Sequence, residues 1–362
     1  MSHYLDHAAT TPLRASAREA WLAAHGQAGN PSSIHGAGRR SRAVLEDARE
    51  RVAAALGAHP TEVIFTSGAT EANNLALASA DGLIVASAYE HHSVLDPVKA
   101  LGGVLVRDIP GLTLELPRVA LVSWQWVNNE VGTIHPVGEI VSLAADAGVP
   151  VHSDAVQAVG HLEVNFADSG LTYMSVSAHK VGGPVGIGAL LAKRGARLTP
   201  IARGGGQQRA RSGTLDAPGA AAFAAALDEA VAELASERAR LESLRGQLLA
   251  GLTAAVPDAI VMGGAHVSPH ILNAIFPGAS AEAMLFALDQ RGIEVSTGSA
   301  CTSGVVDASH VLLALGRTEA EATSALRVSL GHTSTSADVD ALLAALPDVV
   351  AAARAATAQG AH

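Results

Sequence analysis

A single cysteine, Cys301, occurs among 362 residues. A disulfide within the chain is therefore excluded, and nothing suggests an oxidising compartment. Aromatic residues make up only 3% of the chain. Positive charge is also scarce: 24 Lys and Arg stand against 34 Asp and Glu, a net charge of −10. Phosphate backbones are bound by clustered Lys and Arg, so nucleic acid is not expected as a direct partner. The short basic run Arg39, Arg40 and Arg42 reads as the solvated face of a helix. No uninterrupted apolar run approaches the roughly 18–20 residues that span a bilayer, so no membrane span is expected. The residues Met1 to His7 have neither the basic nor the apolar region of a signal peptide. A cytoplasmic protein is expected.

Small aliphatic residues dominate what remains, and hydrophobic residues reach 49%. That is ample material for a large core and a second, smaller one. Apolar, β-branched runs at 63–66, 82–87, 104–109, 119–124, 151–153, 174–177 and 188–191 read as buried strands. Helical patterns at 38–56, 71–80 and 139–147 fall between them. The alternation predicts an α/β domain with a mostly parallel sheet. A long Ala-rich helical pattern over 220–252 then leads to a smaller α+β unit, with strands expected at 270–276, 293–296 and 325–329. The expected division is a large domain over 13–250, with 1–12 and 251–362 forming the small one.

Chemistry concentrates at the predicted strand ends. Lys180 closes the run Ser177-Ala178-His179-Lys180 just after an apolar strand. A lysine there can lose its proton and bond to an aldehyde cofactor. Ser177 and His179 can donate to a phosphate, and the glycines Gly182 and Gly183 let backbone approach a ligand. Asp154 ends another strand, where parallel sheets present ligand-binding groups. A carboxylate there can hold a pyridine nitrogen in its protonated form, with Gln157 reaching a neighbouring ring oxygen. Taken alone, Asp154 reads better as a helix cap. Thr66 to Asn74 is a strand, a small-residue turn and a helix start, and amides at such a helix start bind phosphate. Ala69 and Thr70 are its natural contacts. In Glu90-His91-His92-Ser93, one imidazole can stack on a cofactor ring and act as acid or base. No His/Cys/Asp spacing here resembles a metal site, and no metal is expected. Cys301 lies in Ser299-Ala300-Cys301-Thr302-Ser303-Gly304, small and polar surroundings that suit an exposed nucleophile better than a core thiol.

With these residues in view, the chain resembles the NifS/IscS-type cysteine desulfurases of the class V aminotransferase group. The resemblance runs nearly end to end. It is carried by Tyr4 to Pro12, Gly29 to His35, Thr66 to Asn74, Val127 to Glu130, Ser177 to Lys180, Arg211 to Thr214, and Ser299 to Ser303. The cysteine motif is similar to the group I form and lacks the Arg-x-Gly-His-His-Cys of group II. The resemblance implies a fold-type I enzyme dependent on pyridoxal 5'-phosphate that removes sulfur from L-cysteine, leaving L-alanine and a persulfide on Cys301. It implies Lys180 as the cofactor-bearing lysine and proton shuttle, His91 stacked on the ring, and Asp154 and Gln157 on the pyridine nitrogen and phenolic oxygen. It further implies that Ala69, Thr70, Ser177 and His179 bind the phosphate, joined by Thr214 from the other subunit of a homodimer. The resemblance also implies that Asn129 and Arg327 hold the substrate carboxylate, for which the planar Arg fork is suited. His91 is also the imidazole that could help the Cys301 thiol deprotonate. A sulfur acceptor is implied too, such as an iron–sulfur scaffold or a tRNA-thiolation enzyme. The sequence departs from the family at Trp124-Gln125-Trp126, where bulk is expected to narrow the pocket. A β-lyase or aminotransferase reaction on the same fold, or a scaffold without catalysis, are the rival readings.

Overall fold

The computed structural model describes residues 2–115, 119–298 and 307–360. The chain divides into two compact units. The large one joins Pro12–Val127 to His135–Leu234, and the small one joins Met1–Thr11, Asn128–Ile134 and Ala235–His362. Strand β1 (His3–Tyr4) belongs to the small unit.

The large unit is built on seven strands: β2 (Val63–Thr66), β3 (Leu83–Ser87), β4 (Val104–Val106), β5 (Val119–Ser123), β6 (Val151–Asp154), β7 (Tyr173–Ser177) and β8 (Gly188–Ala192). They lie in the order β2-β8-β7-β6-β5-β3-β4. Pairs from β7 through β4 are parallel, and only β8 runs antiparallel to both its neighbours. Every residue of β2, β6, β7 and β8 is buried; β2, β7 and β8 read as continuous apolar or small runs without alternation, whereas β6 buries the polar His152 and Asp154. One face carries a core of Ile64, Leu75, Leu77, Ile84, Leu121 and Leu190, with helix Ala69–Leu77 packed into it.

Differences from the sequence reading are local. The run expected as strand over 104–109 stops at Val106, and a helix begins at Ile109. The single helical pattern over 220–252 is two helices, Ala217–Ala232 and Leu234–Ala255. The first is buried on nearly all sides by small residues around Phe223. The second turns Leu241, Leu244, Leu248 and Leu252 into the core of the small unit. The units divide at 234/235, at the first residue of the second helix, rather than at 250/251.

In the small unit, β1 pairs in parallel with β11 (Ile293–Glu294). A second sheet has the order β12-β10-β9, formed by β9 (Ile260–Val261), β10 (Ile271–Ile275) and β12 (Ala325–Ser329). Helix Ser336–Gly360 is long and apolar enough to cross a membrane by length and composition alone. Its Val339, Leu342, Leu346, Val349 and Val350 lie in the small unit's core, so its apolar face is already covered by protein.

Candidate active site

Three strand ends meet around Gly188. Thr66, closing β2, and Ser177, closing β7, are both paired with Gly188 of the antiparallel β8 between them. A Cβ on Gly188 would lie 2.5 Å from the Val176 carbonyl oxygen and 2.9 Å from Gly68 Cα. Only glycine lets the turn after β2 cross this closely. Gly68 itself has φ 153°, outside the comfortable range of other residues, and leads directly into helix Ala69–Leu77. No side chain caps that helix, so the amides of Ala69 and Thr70 begin it without a side-chain acceptor. The Ser177 hydroxyl lies 3.9 Å from where a Gly68 Cβ would sit. Backbone donors at a helix start, a hydroxyl and room for close approach fit a phosphate group. Glu71 secures the turn, its Oε2 accepting from Ser67 N at 2.6 Å and its Oε1 from Arg211 Nε at 3.0 Å.

His179 and Lys180 follow β7 in one 3-10 turn, Ala178–Lys180, and both are half-buried. Burial, and then the charge of Lys180, pull the His179 imidazole down to about 4, so it is neutral near pH 7. One strand over, Asp154 ends β6, in register with Ser175. Its carboxylate is buried, with Oδ2 accepting from Asn73 Nδ2 at 2.8 Å and Oδ1 from Val156 N at 3.0 Å. A carboxylate held rigid at a strand end beside the lysine turn fits a protonated pyridine nitrogen. Gln157 is buried in the turn that follows. His91 is exposed and caps helix His92–Ala100, with Nδ1 accepting from Ser93 N at 3.1 Å. His92 is exposed and reaches Asp96 at 3.4 Å, so the two imidazoles have separate partners. Thr214 is exposed in the loop before helix Ala217–Ala232. The large unit thus brings together the turn after β2 and the ends of β6 and β7. These residues fit pyridoxal phosphate at each of its polar ends.

The small unit holds the carboxylate-binding candidates. Arg327, buried on β12, donates through Nη1 to the Asn129 carbonyl oxygen at 2.8 Å and through Nη2 to Asp6 Oδ1 at 2.7 Å. Its Nε is buried with no partner among the described residues. Cys301 lies outside the described residues. Glu130 meets both flanking segments: its side chain is 3.3 Å from where a Gly298 Cβ would be, and its Oε2 accepts from Ser309.

Several polar residues under this site are not evident from the sequence. His152, wholly buried, joins Ser123 Oγ at 2.9 Å and Ser175 Oγ at 3.0 Å. Burial pulls it to about 4 although the nearby Asp154 charge acts the other way, so it is neutral. Glu90, also wholly buried, accepts from Gln125 N at 2.7 Å. Burial, and then the Asp154 charge, push its carboxyl well above the usual range. The spacing His152-x-Asp154 on a strand was the available signal for the first, since alternate residues share a face. Trp124, expected to narrow the pocket, is a buried core residue; only Trp126 of that pair is partly exposed.

An α/β large unit with a lysine turn, a phosphate-accepting helix start and a buried strand-end carboxylate is the arrangement of a fold-type I pyridoxal-phosphate enzyme. The aminotransferase class-V family model matches residues 3–342. An IscS-like cysteine desulfurase of Mycobacterium tuberculosis is 46% identical, with 97% of each chain covered. Cysteine desulfurase IscS of Clostridium botulinum (strain Kyoto) is 36% identical over 96% of this chain and 94% of its own. The solved structure of a NifS-like protein from Rickettsia africae superposes with a TM-score of 0.90 at 30% identity, covering 96% of this chain and 99% of that one. The chain belongs to the class V aminotransferase family and, within it, to the IscS/NifS-type cysteine desulfurases, pyridoxal-phosphate-dependent enzymes.

Proposed function

We propose that this desulfurase works by carrying sulfur from L-cysteine on Cys301, in a homodimer of the cytoplasm, where a lone thiol stays reduced. The observation that supports the cofactor roles most directly is the buried Asp154 carboxylate, fixed by two donors at the end of β6 beside the strand that leads to Lys180. When bound, pyridoxal phosphate supplies an electron sink that draws charge away from the substrate α-carbon. Lys180 would hold the cofactor and would move the proton at that carbon. Ala69, Thr70, Ser177 and His179 hold the phosphate, with Thr214 reaching the partner's site, and Gln157 holds the ring oxygen. His91 would hold the cofactor ring. Arg327, through its guanidinium, and Asn129 orient the substrate carboxylate.

In the sulfur step the Cys301 thiolate attacks the substrate sulfur. An S–S bond forms as the Cβ–S bond breaks, the electron pair leaves with carbon, and protonation gives alanine. The persulfide sulfur then passes to an acceptor thiol, on an iron–sulfur scaffold or a tRNA-thiolation enzyme. Incubation with L-cysteine is expected to yield alanine and a Cys301 peptide one sulfur atom heavier by mass spectrometry. Pyruvate and ammonia in place of alanine would establish a β-lyase instead. Cys301→Ala is expected to keep the cofactor's visible absorption and lose sulfur transfer; persulfide formed by that variant would end the role of Cys301.

A further inference from the structure

A continuous donor chain runs beneath the proposed cofactor contacts. Asn73 is fully buried, and its Nδ2 donates to Asp154 Oδ2 and to Ser93 Oγ, both at 2.8 Å. The amide cannot be reversed, because its oxygen would then face an acceptor-only carboxylate. Both Nδ2 hydrogens are thereby used, and Asn73 Oδ1 stays buried without a partner among the described residues. Ser93 Oγ accepts from Asn73 and lies 2.8 Å from His91 Nδ1. Ser93 N–H also points at His91 Nδ1, at 3.1 Å. A nitrogen that faces a backbone N–H must be an acceptor, so the Ser93 hydroxyl spends its one proton on His91. The order of donation is Asn73 to Asp154, and Asn73 to Ser93 to His91.

We propose that Asn73 is a positioning residue that holds His91 as the neutral tautomer protonated at Nε2. In this state His91 offers a hydrogen-bond donor and a flat ring to the cofactor side. It is not the base for the Cys301 thiol, because its basic nitrogen is occupied on the protein side. Charging the ring would put a proton on Nδ1 and break its bonds from Ser93 N–H and Ser93 Oγ–H. The proton traffic at the substrate then falls to Lys180, and the thiol must find its base elsewhere. The significance for catalysis rests on the proposed cofactor contacts of His91 and Asp154, whereas the tautomer itself does not.

Neutron diffraction from crystals of the deuterated holoenzyme reads the proton directly. A deuteron on His91 Nε2, none on Nδ1, and the Ser93 deuteroxyl directed at Nδ1 are expected. A deuteron on Nδ1 would overturn the proposal, whether or not any variant folds. Nitrogen-15 NMR of His91 in Asn73→Ala supplies the second arm. Without the amide, the Ser93 hydroxyl is free to turn, and the Nδ1–H population should rise about fivefold, the factor carried by one neutral hydrogen bond. An unchanged ratio in a folded variant would remove Asn73 from the role. Ordinary cofactor binding and spectrum in both Asp154→Asn and His91→Ala would refute the contact assignments while leaving the tautomer result standing.

Discussion

Acid should weaken this protein through His152 in a way that one substitution can isolate. The imidazole is wholly buried between Ser123 and Ser175, and burial lowers it from an ordinary value near 6.5 to about 4. Between those values the unfolded chain takes up a proton that the folded chain refuses. Stability is therefore intact above pH 6.5 and declines as pH falls toward 4. The difference corresponds to roughly 3 kcal/mol below pH 4 and about 2 kcal/mol at pH 5. His152→Gln keeps an amide oxygen and an amide nitrogen for the two serines but does not titrate. Urea unfolding of parent and variant, at pH 7.5 and pH 5 with protein and cofactor concentrations fixed, gives the comparison. The parent should lose about 2 kcal/mol more than the variant over that interval. Equal losses would show that His152 is charged in the fold, or reached by water, and would refute the burial argument.

Glu90 has the opposite sign. Its carboxyl is raised, so its contribution is favourable at low pH and is lost as pH rises through the folded value. Glu90→Gln retains an oxygen for Gln125 N and should raise Tm more at pH 7.5 than at pH 4.5 by calorimetry; the reverse order would contradict a buried acid. Gly188→Ala places a methyl against Val176 O and Gly68. Overpacking of about 1–3 kcal/mol is expected, with about tenfold weaker pyridoxal-phosphate binding in a fluorescence titration, because the turn after β2 must move. Arg327→Lys cannot span Asp6 and the Asn129 carbonyl while presenting a planar fork. Steady-state kinetics with L-cysteine should show kcat/KM lower by roughly 10- to 100-fold, chiefly in KM.

Strands such as β2 and β8 were legible because burial on both faces forces them to be continuously apolar or small. That same pattern has no direction in it, so the antiparallel β8 between β2 and β7 could not be read. The break between helices Ala217–Ala232 and Leu234–Ala255 was hidden because every residue across it favours helix. What divides them is the change of partner, from small residues around Phe223 to a leucine stripe in another core. Candidate site residues stood out where chemistry is rare, and the structure places two of them, Lys180 and Asp154, at or just after the ends of neighbouring strands. Asn73, Ser93, His152 and Glu90 were not singled out, since polar residues in a sequence look the same on a surface as beneath a site. Only pairing shows that Asn73 and Ser93 support Asp154 and His91, that His152 bridges Ser123 and Ser175, and that Glu90 holds Gln125 N.

The pairing of β1 with β11 sets a clock on the making of this protein. His3 has its partner at Ile293, and Leu5 sits in a core completed by Val339 and Leu346. At a synthesis rate of about 5–20 residues per second, some 15–60 s separate the emergence of the two strands. Through that interval the early segment waits for β11, and before it ends the sheet that carries Asp154 is already complete in sequence. Of the two paired strands, the one made earlier is the one that must wait for its place.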